Sequence, residues 1–83
     1  MEGLTEGRIV HYVLPNGQHR PAIIVKLWAP NGGSFPHPVQ LQVFMDGGND
    51  GSEYGLVGMA WETSVPYDET GLQVHSWHWI ERA

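Results

Sequence analysis

Eleven Gly and six Pro cut this 83-residue chain into apolar runs too short for helices, and that punctuation constrains its fold more than any other feature. No stretch carries a helical apolar period of useful length. Several short runs are instead rich in β-branched and aromatic residues, which suit a pleated, half-buried surface. An all-β domain follows. Residues 8–14 and 21–28 read as strands, and Asn16-Gly17 between them signals a hairpin, because both residues tolerate positive φ. In the second run Ile23, Val25 and Leu27 alternate with Ala22, Ile24, Lys26 and Trp28. Both of its faces are largely apolar, as expected of a strand bent through a barrel or covered by a partner.

Residues 29–38 contain three Pro and two Gly and cannot sustain a ladder. Residues 39–45 alternate, with Val39, Leu41, Val43 and Met45 expected inward and Gln40 and Gln42 outward; Phe44 breaks the polar face. Residues 46–53 read as a flexible loop. Residues 56–62 read as a fourth strand, with Val57, Met59 and Trp61 on one face and Gly58 permitting a bulge. Residues 63–71 form a turn with room for one short 3₁₀ segment, and residues 72–81 form the fifth strand. The expected architecture is one domain over residues 1–83, a small SH3-like barrel of about five antiparallel strands with a flexible N-terminus at 1–6.

A domain this small lies near the lower limit for folding on an apolar core alone, and there is no Cys to supply a disulfide or a thiolate metal site. Self-association would bury more surface. The acidic, polar start at residues 1–6 is unlike a signal peptide, and no apolar run is long enough to span a bilayer, so a soluble intracellular protein is expected. Nine acidic against four basic residues give a net charge of −5, with Arg8, Arg20, Lys26 and Arg82 scattered. That pattern argues against duplex nucleic acid as a partner, whose binding needs clustered cations.

Four Trp, three Tyr, two Phe and five His are the residues that most invite a functional reading. On an extended last strand His75, Trp77 and Trp79 share one face, and Ser76, His78 and Ile80 share the other. The first face suits stacking of a planar ring, and equally suits core or interface packing. Trp61 joins the candidate aromatic set, with Arg8, Arg20 and Lys26 as candidate phosphate partners. His75-x-x-His78 has a permitted metal-ligand separation, but strand alternation sends the two rings to opposite faces, so no metal site is expected. Residues 46–51 resemble a calcium loop only in part, since Gly48 and Val57 stand where the third and twelfth ligands belong. No nucleophile elbow, phosphate-binding Gly loop or paired catalytic carboxylates occur, so neither an enzyme nor a cofactor is expected.

Residues 7–13, 20–25 and 39–44, then Trp61 with 64–68, then Ser76-Trp77-His78-Trp79-Ile80-Glu81, together resemble a set of small tailed-bacteriophage proteins. Those proteins end in a Trp-His-Trp-Pro-Glu-like signature, and Ile80 stands here where that set has Pro. The resemblance implies an accessory protein made in the cytoplasm of an infected bacterium, and it assigns no site residues. Leu72-Gln73-Val74-His75 is also similar to the pore-lining run of the type II plasmid dihydrofolate reductases, which are SH3-like chains in a tetrameric ring. Three functions are therefore expected in order. The first is a non-catalytic, homo-oligomeric binding module, in a phage setting an anti-defence protein that sequesters a nucleotide immune signal. The second is a protein-interaction or virion component using the aromatics as an interface. The third is an oligomeric reductase.

Overall fold

The computed structural model describes residues 1–28, 36–51 and 54–81. Five strands form one antiparallel sheet: β1 (Ile9–Val13), β2 (His19–Leu27), β3 (Val39–Phe44), β4 (Met59–Val65) and β5 (Trp77–His78), in the spatial order β4-β3-β2-β1-β5. The all-β expectation holds, and no helical segment occurs among the described residues. None of them therefore builds a helix long and apolar enough to cross a membrane.

The β1–β2 hairpin turns where Asn16-Gly17 predicts it. Gly17 adopts φ +85°, its N–H donates to Leu14 O at 2.8 Å, and Asn16 Oδ1 accepts from Gln18 N at 2.9 Å. In β2, Ala22 and Ile24 face the core. The β2–β3 register then shifts between Ile24 and Lys26, and the extra residue reverses the alternation. Leu27 is thereby turned back onto the core, while Val25 is left exposed. This bulge explains why both faces of that strand are apolar in sequence. A second shift lies between β3 and β4, beside Ser64 in the left-handed region at φ +53°.

The core is built from Val10, Tyr12, Leu14, Ala22, Ile24, Val39, Leu41, Val43, Val65 and Trp77. Burying each such aliphatic side chain contributes about 1.5–3 kcal/mol. Trp77 is fully buried, and its indole N–H donates to His37 O at 3.0 Å. The ladder does not close into a complete barrel. One parallel bridge, Tyr67 with Trp77, joins the segment after β4 to β5, supported by Trp77 N to Pro66 O and Asp68 N to Trp77 O, both 2.9 Å.

The fourth and fifth strands depart most from expectation. The fourth strand begins at Met59 and runs on to Val65. The fifth is two residues long, because His75 sits at φ +61° and cannot continue an extended run. The loop at 46–51 is tied down by Asp50, which is buried and accepts from Asp46 N at 2.5 Å and from Arg20 Nε at 2.8 Å. At the N-terminus Leu4 packs against the core, and Glu6 accepts the Leu27 N–H at 3.2 Å. Most of the Pro- and Gly-rich stretch, residues 29–35, lies outside the described residues.

Candidate metal centre

Strand pairing brings three histidines together on the outer face of the sheet. His11 in β1 lies directly opposite His78 in β5. Its opposite number in β2 is Pro21, two residues from His19, so His19 is the diagonal neighbour on the same face. The intervening Tyr12 and Trp77 form the adjacent inward pair and are buried. Each histidine is thus aimed outward because its neighbour is anchored inward.

Glu81, three residues beyond β5, folds back over this triad. Its Oε2 accepts from His11 Nδ1 at 2.5 Å, and its Oε1 accepts from His19 Nδ1 at 2.6 Å and from His78 Nε2. The four candidate donor atoms lie within 4.8 Å of one another. A carboxylate only accepts, so each imidazole nitrogen facing it carries a proton in the ion-free protein. Burial acts to raise the Glu81 pKa. A backbone hydrogen bond of its own residue and the three imidazoles outweigh that and hold the carboxyl down at about 2.

The ring of His78 is the most enclosed of the three. Gly71 packs onto it: a Cβ there would stand 3.4 Å from both Cε1 and Nε2 of the imidazole, and the backbone at φ +70° favours glycine. The turn carrying Gly71 is organised by Asp68. Its carboxylate accepts from Thr70 Oγ1 at 2.7 Å and Gln73 N at 2.9 Å, and those bonds lower its pKa. Ser76, also buried, donates to Gln73 O at 2.6 Å. His78 Nδ1 is buried and has no hydrogen-bond partner among the described residues.

The donor set is three imidazoles and one carboxylate without thiolate. That suits Zn²⁺, Cu²⁺, Ni²⁺ or Co²⁺, and not Cu⁺ or an iron–sulfur cluster. An ion about 2.0–2.2 Å from each donor would occupy the focus where the Glu81 oxygens now sit, so the carboxylate would retract slightly as the ion entered. Ligation requires neutral imidazoles with their lone pairs turned inward, so the proton each ring now directs at Glu81 would have to sit on its other nitrogen.

The residues singled out from sequence do not converge. Trp77 is a core residue and offers no stacking face. Trp79 is half-buried, edge-on to Trp77 at 5.4 Å, and capped by the Arg8 guanidinium at 5.2 Å. Arg20 is held by Asp50, at 2.6 Å from Nη2 to Oδ1, so it is spent on an ion pair. Lys26 lies over Trp28 at 4.1 Å. Trp61 stands exposed on β4, across the sheet from β5. His75 is exposed, and its Nδ1 shares a 2.6 Å hydrogen bond with the buried Tyr12 hydroxyl. His75 and His78 do diverge, yet His78 meets His11, His19 and Glu81, a combination that no spacing in the sequence marks. The signal available was pairing register: hairpin geometry fixes Val13 opposite His19, and only the β1–β5 pairing adds His78. Comparison with protein-family models, with curated proteins and with solved structures gave no match.

Proposed function

We propose that this protein is a non-catalytic β domain that binds one divalent transition-metal ion through His11, His19, His78 and Glu81. The observation that carries this reading is the convergence of three imidazole nitrogens and a carboxylate within 4.8 Å. An ordinary surface contact needs one imidazole to neutralise one carboxylate. Three rings on a single carboxylate exceed that need. The chain's net charge of −5 also favours cation approach.

Four protein donors are the number that a structural ion of tetrahedral preference takes. Such an ion would brace β5 against β1 and β2. In the bound state His78 Nδ1 carries the proton and finds no acceptor, costing about 1–3 kcal/mol and lowering affinity below that of a fully supported site. Calorimetric titration of metal-free protein with Co²⁺, Ni²⁺, Cu²⁺ and Zn²⁺ is the test. One ion per chain is expected, with affinity rising from Co²⁺ to Cu²⁺ and falling again at Zn²⁺. No binding of any of the four would refute the reading.

A second reading, as an interaction module, is favoured by a different observation. On the same outer face, Trp61, Gln42, Ile23 and Ile9 form a row across β4, β3, β2 and β1, with Phe44 opposite Met59 in the next row. Ile9, Phe44, Met59 and Trp61 are all exposed. An open apolar sheet face of this kind suits a protein partner or a second copy of the chain. Mass measurement across a concentration series would reveal self-association.

A further inference from the structure

The four donors of the metal site are not held alike. His11, His19 and His78 stand on three hydrogen-bonded strands, and their side chains are 23%, 30% and 5% exposed. Glu81 lies past the end of β5, outside any strand, with its side chain 46% exposed. Its carboxylate contacts the three imidazoles and nothing else among the described side chains. The triad is therefore a fixed tripod, and the carboxylate is its outermost, solvent-facing member.

We infer that Glu81 is the exchangeable ligand, and that a carboxylate from outside the chain takes its place on an ion held by His11, His19 and His78. This rests on the metal-binding reading above. The class of ligand follows from what the focus now contains. One carboxylate, that of Glu81, faces all three imidazoles from the solvent side, so a carboxylate of similar size can reach an ion at the focus from that side once the Glu81 arm swings out. In the exchange the metal–oxygen bond to Glu81 breaks and a metal–oxygen bond to the incoming carboxylate forms. One anionic oxygen replaces another, so the charge at the ion is unchanged and no proton moves. The tethered arm competes at an effective concentration of about millimolar, so an external carboxylate must exceed that or be presented by a partner that brings further contacts.

Co²⁺-loaded protein makes the exchange visible, because its visible absorption bands respond to each change of ligand. Acetate is the probe, and Glu81→Gln removes the competing arm. Glu81→Gln is expected to keep Co²⁺ with lowered affinity, while His78→Ala and His11→Ala lose it. Acetate should shift the bands of the Glu81→Gln protein saturably, and shift those of the wild type only at higher concentration. A peptide with a free terminal carboxylate, set against its amidated form, separates a peptide source from a small acid. Loss of Co²⁺ from Glu81→Gln as complete as from His78→Ala would make Glu81 a permanent ligand and overturn the inference. So would bands in Glu81→Gln that acetate leaves unmoved. Failure of the wild type to bind Co²⁺ at all would instead remove the metal reading, and this inference with it.

Discussion

The two edges of the sheet are built on opposite plans. β4 is a seven-residue strand whose outward side chains include the exposed Met59 and Trp61. β5 has two residues and pairs with β1 at two positions, His11 with His78 and Tyr12 with Trp77. The short edge is nevertheless the more deeply anchored. Its inward residue, Trp77, is a fully buried member of the core, and its outward residue, His78, enters the histidine cluster. Backbone pairing measures poorly how firmly such an edge is held; here side chains on both faces do the holding. The long edge shows the reverse, with many ladder bonds and an outer surface on which Met59 and Trp61 are exposed among the described residues.

The comparison breaks most readily at Trp77. Trp77→Ala leaves a cavity between β5 and Val10, Tyr12 and Leu14, and should cost about 3–5 kcal/mol, read from urea unfolding at constant slope. A loss no larger than that of an exposed substitution would mean β5 is not held by its indole. Next in size is the ion. At 100-fold excess over its dissociation constant, a ligand that binds only the folded chain stabilises it by about 2.7 kcal/mol. Zn²⁺ should therefore raise the melting temperature, chelator should return it, and His78→Ala should be insensitive to both. The amide protons of Val13, His75 and Trp77, which bond to Ser76 O, Val13 O and Pro66 O, should exchange more slowly with metal present. A melting temperature indifferent to Zn²⁺ would detach β5 from the metal site.

A smaller effect is expected at Tyr12, whose hydroxyl joins the same edge through His75. Tyr12→Phe should cost about 1 kcal/mol near neutrality, the usual value of one hydrogen bond. Its pH dependence is more diagnostic. Burial first, then Tyr54 and the Glu62 carboxylate, raise the Tyr12 pKa well above the ordinary 10.0. Above pH 10 the unfolded chain therefore loses a proton that the folded chain keeps. The unfolded state binds fewer protons there, and stability falls by up to about 1.4 kcal/mol per pH unit for this one group. Below pH 10 both states are protonated and the term vanishes. Urea midpoints from pH 8 to 11 should fall more steeply for wild type than for Tyr12→Phe; equal slopes would show that Tyr12 ionises freely in the folded protein.

Where the information was local, the fold was legible. The Asn16-Gly17 turn, the inward Val39, Leu41 and Val43, and the all-β class follow from turn chemistry and side-chain alternation, which need no knowledge of distant partners. What failed was the length of the last strand. Alternation alone predicts a strand over 72–81, but His75 takes a left-handed conformation, with its N–H bonded to Val13 O and the Asp68-organised turn preceding it. The bulge after Ile24 shows in the sequence only as two apolar faces, which read there as a strand bent through a barrel or covered by a partner. The histidine cluster is hidden for a related reason. His11 and His19 sit on the two arms of one hairpin, but His78 is distant in sequence, at no ligand spacing that marks a known motif, and joins them only through the β2-β1-β5 order. The cations expected to face a ligand were taken by Asp50, Trp28 and Trp79, pairings that no local pattern announces.

The smallest expected change in stability is at the other edge, and it is the one that separates the two plans most cleanly. Trp61 is half exposed on β4, opposite Gln42, and contributes to no part of the core. Replacing it with Ser removes no member of the core, so unfolding stability should move by no more than about 0.5 kcal/mol. Association should respond where stability does not. If the outer apolar row is an interface between copies, Trp61→Ser should lower the fraction of higher mass in sedimentation at every concentration, with Zn²⁺ binding intact. A Trp61→Ser protein that is destabilised like Trp77→Ala would place the β4 edge under the same control as β5. An unchanged mass distribution would leave that face for a different protein, because the substitution would have removed its largest exposed aromatic without touching self-assembly.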